Sequence, residues 1–216
     1  MSHRSTPELS TLMALRVRGV ADEQALAAAA GLALPVVRDQ LARFESGGAV
    51  RHHAGALAGW GLTAAGRALG ERLAAEELDA TGSRPVVEDA YRGFLELNPR
   101  LLHACTAWQV RPGPDGPVVN DHRDPAHDAD ALAQLEAVHA QVVPLLDGLG
   151  RALERFASYA PRLGFALDRV HAGSTDWVDK ATIDSFHTVW FELHEDLLAT
   201  LGRDRASELP DRSDEE

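Results

Sequence analysis

The sequence predicts a mainly α-helical protein in two parts, with one short β-hairpin in the first part. Apolar residues recur every three or four positions along most of the chain, which is the spacing of one face of a helix. Two β-compatible segments, 49–53 and 57–62, surround Ala54-Gly55, a pair typical of a hairpin turn. Thr81-Gly82-Ser83 interrupts the helical periodicity. We therefore expect domains at 5–80 and 84–203, followed by a polar tail at 204–216.

Three short helices are expected ahead of the hairpin, at 6–17, 23–30 and 35–45. Gly19 ends the first of them, and Asp22 is a suitable N-cap for the second. Gly31 makes the next turn, and Pro35 stands in the first turn of the third helix, where proline is favoured. Two short helices joined by a glycine turn are the parts of a helix-turn-helix.

The third helix commits one face to the core through Val37, Leu41 and Phe44, which are four and three residues apart. The residues left outward or at the margins are Val36, Arg38, Asp39, Gln40, Ala42 and Arg43. The hairpin that follows would form a wing beside this helix. Thr63 is then expected to cap a fourth helix towards Leu78. The first domain is therefore predicted to be a winged helix-turn-helix with a short β-hairpin wing.

One run of sequence, GLALPVVRDQLARFESGGAVRHHAGALAGWGLTAAGRAL at 31–69, resembles the winged-helix core of bacterial MarR-type regulators. In that family a small-residue turn precedes the recognition helix, a glycine followed by an apolar residue comes after it, and an LTxxGR segment follows the wing. That segment is Leu62-Thr63-Ala64-Ala65-Gly66-Arg67 here. The resemblance implies a transcriptional regulator that binds double-stranded DNA. It covers about a third of the chain, which adds a second domain that the family usually lacks.

Seven side chains are the expected DNA contacts. Arg38 and Arg43 suit guanine edges or phosphates, and Gln40 suits an adenine edge. The complete set is Val36, Arg38, Gln40 and Arg43 on the third helix, with Arg51, His52 and His53 on the wing. The alternative is a winged helix that contacts only protein, because the same surface then need not be basic and Asp39 lies within it.

Charge is unevenly distributed along the chain. The net charge is −12, which opposes non-specific attraction to phosphates. Residues 1–70 nevertheless carry seven arginines against five acidic residues, so the acidity belongs to the second part. No apolar run is long enough for a membrane span, and residues 1–8 lack the apolar core of a signal peptide. We therefore expect a cytoplasmic protein that does not bind membranes.

The second domain is predicted to be a bundle of about four helices. The first seam, spaced alternately by four and three residues, is Val87, Tyr91, Phe94, Asn98, Leu101, Cys105 and Trp108. The second is Leu132, Leu135, His139, Val142, Leu146, Leu149, Leu153 and Phe156. Pro99 should kink or split its helix, and 110–128 is expected to be a loop. On the last helix, 183–201, a polar side is predicted at Asp184, Ser185, Thr188, Glu192, Glu195 and Asp196.

Four polar residues occupy positions where the periodicity requires apolar ones: Asn98, His139, His187 and His194. They are expected to bond one another or water, or to line a pocket for a small effector. Its apolar walls would be Tyr91, Trp108, Trp190 and Phe191. A metal site is a third interpretation, although His187 and His194 are about 10 Å apart along a helix.

The sequence as a whole predicts a one-component transcriptional regulator, acting as a homodimer on DNA and modulated by a small molecule. It contains no phosphate-binding glycine loop, nucleophile elbow or close carboxylate pair, so neither an enzymatic activity nor a cofactor or metal is predicted. The lone Cys105 excludes an internal disulfide but leaves a redox-sensing thiol as an alternative. The rival functions are a metal-dependent sensor or enzyme that uses the bundle histidines, and a protein-binding adaptor.

Overall fold

The computed structural model describes residues 2–55 and 58–204. Within these ranges the protein is mainly helical, with eight α-helices and two two-stranded hairpins. The helices are α1 (Pro7–Arg18), α2 (Glu23–Ala30), α3 (Leu34–Ser46), α4 (Ala64–Thr81), α5 (Arg84–Gln109), α6 (Pro125–Ala152), α7 (Tyr159–His171) and α8 (Phe186–Leu201). The strands are β1 (Val50–His53), β2 (Gly59–Leu62), β3 (Val110–Gly113) and β4 (Gly116–Val119). No single helix in the described ranges is both long and apolar enough to cross a membrane.

The chain divides into two compact units. The N-terminal unit contains His3–Val87 together with residues 192–204, and the central unit contains Ser2 and Glu88–Phe191. The helices α5 and α8 each contribute residues to both units. The second half of α8 therefore belongs with the first 87 residues, whereas the sequence pattern assigned all of it to the helical domain.

Local signals in the sequence start and stop the first helices as expected. The Thr6 hydroxyl accepts a hydrogen bond from the Leu9 amide (3.2 Å), and a carboxylate oxygen of Asp22 accepts one from the Ala25 amide (2.8 Å). Gly31 ends α2 with a φ of 62°, a left-handed conformation that glycine adopts without steric cost. The axes of α2 and α3 are bent by 109° relative to each other.

The core of the N-terminal unit lies between α1, α2, α3 and β1. The predicted core positions Val37, Leu41 and Phe44 are buried there. The other buried members of this cluster are Leu12, Ala14, Leu15, Leu26, Ala49 and Val50. Burial of this apolar surface is what fixes α3, and it leaves the opposite face of α3 exposed.

Two contacts between backbones hold the β1–β2 hairpin in place. Trp60 of β2 exchanges two hydrogen bonds with Ala21, and a Cβ atom on Gly59 would lie 2.7 Å from the Ala21 carbonyl oxygen. On the other side, a Cβ atom on Gly66 of α4 would lie 2.0 Å from the Ala49 carbonyl oxygen. Part of the predicted second strand, at 56–57, lies outside the described residues.

Thr63 joins the hairpin to α4 as the expected N-cap. Its hydroxyl accepts a hydrogen bond from the Gly66 amide (3.2 Å) and donates to the Gly48 carbonyl (2.7 Å). Its amide donates to the Ala49 carbonyl (3.0 Å). One residue therefore ties the start of α4 to the segment between α3 and β1.

The prediction of a loop at 110–128 is wrong. Within this segment β3 and β4 pair antiparallel, with Pro112 opposite Pro117. The Asn120 amide extends this ladder by donating to the Gln109 carbonyl (2.8 Å). Of the two effects expected of Pro99, a kink or a split, the split does not occur, since α5 continues to Gln109.

The predicted seams are confirmed on α5 and shifted on α6. All seven α5 positions are buried except Asn98, which is half-buried. On α6, Ala131 and Val138 are buried instead of Leu132 and His139. In both cases the buried residue comes one position before the predicted one. Ala131 is smaller than Leu132, so the apolar pattern of the sequence favoured Leu132.

The predicted polar side of the last helix is largely buried, so this expectation is wrong. Glu192 is only 4% exposed, and its carboxylate contacts the Arg18 guanidinium of α1 at 2.9 Å. Asp196 is also buried and accepts a hydrogen bond from the Thr200 hydroxyl (3.2 Å). A polar stripe that finds partners on a neighbouring element is compatible with burial, which the helical period alone does not reveal.

We predict that Gly66→Ala destabilises the protein by about 2–3 kcal/mol, because the added methyl group collides with backbone that cannot rotate away. Gly70→Ala in the same helix is the matched control. Its Cβ atom would lie 3.6 Å from the Cβ of Leu12, an ordinary contact, so alanine should be neutral or stabilising by up to about 1 kcal/mol. Urea unfolding followed by circular dichroism measures both. Equal stability of the two variants would contradict the predicted collision.

Candidate functional site

The exposed face of α3 carries two of the expected DNA contacts. Arg38 and Arg43 are exposed, because they lie away from the buried positions Val37 and Leu41. Val36, at the margin of this face, is half-buried. These residues stand on a helix whose other side is fixed by the core.

Gln40 is not available on this face, which corrects its assignment as an adenine contact. Its side chain is 8% exposed, and its Oε1 atom has no hydrogen-bond partner among the described residues. Gln40 lies three residues after Val37 and four before Phe44, so it shares their face of the helix. This spacing can be read from the sequence, and it predicts the burial of Gln40 better than the polarity of its side chain does.

Arg38 is held by an ion pair that the sequence pattern did not indicate. Its Nε atom donates to the Oε2 atom of Glu23 at 2.6 Å. Glu23 is the first residue of α2, directly after the capping residue Asp22. The two helices of the α2–α3 pair are thereby linked through charged side chains at their surface.

The three predicted wing residues all lie on β1. Arg51 and His52 are exposed, and the Nε atom of Arg51 donates to Nε2 of His53 at 3.2 Å. The ring of His52 packs edge-on against Trp60 of β2, with centroids 5.1 Å apart. Trp60 is a member of this surface that the sequence analysis missed. Its position opposite His52 in the strand register is the signal that identifies it.

Three of the eight expected ligand residues come together in the central unit. The indole Nε1 of Trp190 donates to Oδ1 of Asn98 at 3.0 Å, and the ring of Trp190 stacks on Phe94. Phe186 lies beside Trp190, and His139 packs edge-on against Phe186 with ring centroids 6.1 Å apart. The indole N–H of Trp190 and the side-chain oxygen of Asn98 are thus satisfied by each other beside an aromatic cluster.

The other five expected ligand residues differ in their exposure and in the compact unit to which they belong. Phe191 is 45% exposed rather than a pocket wall, and His194 belongs to the other compact unit. His187 is half-buried, and Tyr91 is buried on α5. Trp108 instead packs against His122, with centroids 4.8 Å apart. A helical wheel places His187 and His194 on one arc, but the two halves of α8 belong to different units.

A polar network of the central unit lies between the end of β4 and the first turn of α6. Asn120 is buried, and its side-chain amide donates to the Trp108 carbonyl (3.0 Å) and to Asp128 Oδ1 (2.7 Å). Its own Oδ1 atom accepts from the His122 amide (3.1 Å). His122 Nδ1 lies 3.1 Å from the Asp128 carboxylate. These bonds give the side chains of Asn120, His122 and Asp128 partners within the protein.

A groove of about 440 Å³ lies between the β3–β4 hairpin and the helices α5 and α6. Its walls are mostly apolar, with His103, Arg111 and His127 as the ionisable residues. Arg111 is paired with Asp121 at 3.4 Å, and Nε2 of His127 lies 2.7 Å from the Ala107 carbonyl. The volume falls within the usual range for small-molecule sites.

No group of three or more His, Cys, Asp or Glu side chains within residues 2–55 and 58–204 is arranged to hold a metal ion. Two histidines of the central unit have other contacts: His122 is paired with Asp128, and His139 packs on an aromatic ring.

We predict that Cys105 reacts slowly with thiol reagents in the folded protein. Burial, with a smaller contribution from the charge of Asp179, raises the pKa of its thiol to about 12, so the nucleophilic thiolate is scarce at neutral pH. The modification rate with an aromatic disulfide, compared with and without denaturant, measures this protection. Equal rates in the two conditions would be the contrary result.

We predict that His139 lowers the stability of the folded protein at acidic pH. Burial lowers its pKa below the ordinary value, against a smaller opposing effect of the Asp168 charge. The unfolded chain therefore binds the proton first, and stability should fall as the pH drops below about 6.5. The free energy of unfolding of His139→Gln should decrease less than that of the wild type between neutral and mildly acidic pH. His103→Gln, an exposed histidine on α5, is the control.

No protein-family model matches the chain, and it has no significant match among curated proteins or solved structures. The similarity of residues 31–69 to MarR-type regulators therefore stays a prediction from the sequence.

Proposed function

We propose that the protein is a transcriptional regulator that binds double-stranded DNA through a winged helix-turn-helix formed by α1, α2, α3 and the β1–β2 hairpin. The observation that carries this proposal is the geometry of α2 and α3. They are joined by a short turn with a left-handed glycine and are bent by 109°, within the range of helix-turn-helix pairs. In this proposal α3 is the recognition helix and the hairpin is the wing.

The charge of the exposed surfaces supports the same interpretation. Arg38 and Arg43 on α3 and Arg51 on β1 are all exposed, and each is a suitable donor to phosphates or base edges. His52 lies beside Arg51 on the proposed wing. The surface is mildly basic rather than strongly so, since Asp39 and Glu45 of α3 are exposed as well. We therefore expect weak binding to random DNA and tighter binding at a matched site.

The proposal includes dimerisation and a small-molecule effector. One recognition helix reads few base pairs, so two copies acting on a two-fold symmetric site are the expected arrangement. The 440 Å³ groove beside the β3–β4 hairpin is a region of the central unit whose size and apolar lining suit an effector. The effector would act by favouring one of two dimer arrangements.

We predict that Arg43→Ala lowers affinity for a matched DNA site about ten- to hundredfold, since it removes an exposed guanidinium from the proposed recognition helix. The probe is duplex DNA selected by the wild-type protein from a random library, and the measurement is a gel-shift titration at fixed salt. Arg72→Ala is the matched control, because Arg72 is exposed on α4 and pairs there with Glu76. It removes the same charge outside the proposed interface.

Equal affinities of the wild type and Arg43→Ala would contradict the assigned recognition surface. If the wild type bound no DNA at all, a protein-binding adaptor would be favoured instead. Transition metal retained in stoichiometric amount by the purified protein would favour a metal-dependent sensor.

A further inference from the structure

The ion pair between α2 and α3 has a defined geometry. Within the part of the chain that the structure describes, the Arg38 guanidinium is engaged only through Nε, by the Glu23 carboxylate at 2.6 Å. The arginine side chain remains 58% exposed and that of Glu23 34% exposed. Arg38 is the fifth residue of α3, near the end that recognition helices direct at bases.

An arginine bound in this way can still offer the two terminal nitrogens of its guanidinium to a base. The guanidinium has five N–H donors in a planar fork, and a carboxylate on Nε leaves the two terminal nitrogens unoccupied by that carboxylate. Two parallel N–H donors match O6 and N7 of guanine. The carboxylate also restricts a long side chain before DNA arrives, which reduces the ordering that binding would otherwise require.

Glu23 itself is well placed to act as a fixed support. It stands in the first turn of α2, where the helix dipole favours a negative charge, and the Asp22 cap fixes the start of that helix. A carboxylate near a DNA-binding surface opposes phosphate binding unless its charge is neutralised. Arg38 supplies that neutralisation, so its positive charge no longer adds to the general attraction between the protein and DNA phosphates.

We propose that Glu23 is a positioning residue that orients Arg38 for bidentate recognition of one guanine in each half-site. This inference rests on the proposed function. It assigns sequence discrimination to the Glu23–Arg38 pair and leaves general affinity to arginines such as Arg43 and Arg51.

The test is a parallel selection of binding sites from a random duplex library by full-length variants. The wild type, Glu23→Gln and Arg38→Lys are compared. Arg38→Lys keeps the charge but lacks the planar fork. Glu45→Gln is the control, because Glu45 is exposed on α3 and its substitution removes the same charge elsewhere on that helix. Circular dichroism and the thermal midpoint establish that each variant is folded.

We expect Glu23→Gln and Arg38→Lys to lose the preference for guanine at the same position, by about tenfold each, and Glu45→Gln to retain it. Binding of the wild type should weaken when that guanine is replaced by 7-deazaguanine, which lacks the N7 acceptor. Binding of Glu23→Gln should change little, and its affinity for random DNA should equal or exceed that of the wild type.

Two results would overturn the inference in different ways. If the wild type selects a site and Glu23→Gln selects it with the same guanine preference, the positioning role is wrong while DNA binding stands. If the folded wild type enriches no sequence, the proposed function fails together with the inference.

Discussion

The position of the β1–β2 hairpin depends on two places where one backbone approaches another too closely for a side chain. At Gly59 the strand lies against the Ala21 carbonyl, and at Gly66 the first turn of α4 lies against the Ala49 carbonyl. Thr63 stands between these points and hydrogen-bonds to Gly48 and Ala49. The hairpin is therefore attached both to the start of α2 and to the end of α3. This packing gives the LTAAGR segment, Leu62–Arg67, a structural role.

This attachment determines what the exposed face of the N-terminal unit presents. Because α3 is fixed by its core face and β1 by its neighbours, Arg38, Arg43 and Arg51 are carried by elements whose positions are fixed. Arg38 is further restricted by Glu23, while Arg51 contacts His53. The three guanidinium groups thus differ in how much freedom they have lost before any partner binds. Such differences separate groups that discriminate between partners from groups that only attract them.

Most of what local chemistry determines could be predicted from the sequence. The caps at Asp22 and Thr63 and the glycine turn at Gly31 are correct, since each depends on a residue and its neighbours within one turn. The apolar period also located the core of α3. The exposed arginines of the candidate site followed from the same period.

The errors arose where burial depends on distant parts of the chain. Gln40 lies on the core face despite its polarity, and Glu192 is buried because Arg18 of α1 pairs with it. The β3–β4 hairpin was missed because its prolines and glycines are equally typical of irregular loops. The network around Asn120 was missed because its partners, Trp108 and Asp128, come from two different helices. No pattern within a single helix contains those pairings.

The facing prolines of the β3–β4 hairpin limit the pairing of its edges with further strands. The bond from Asn120 to Gln109 fixes the alternation of the ladder, so Pro112 and Pro117 form a pair whose backbone nitrogens point away from each other. At an ordinary residue each outward nitrogen would carry a hydrogen that could bond to another strand. Proline has none, and both edges of the hairpin therefore lack a donor at their midpoint. The exposed Val118 and Val119 next to Pro117 therefore lie on an edge that has one backbone donor fewer for pairing with another strand.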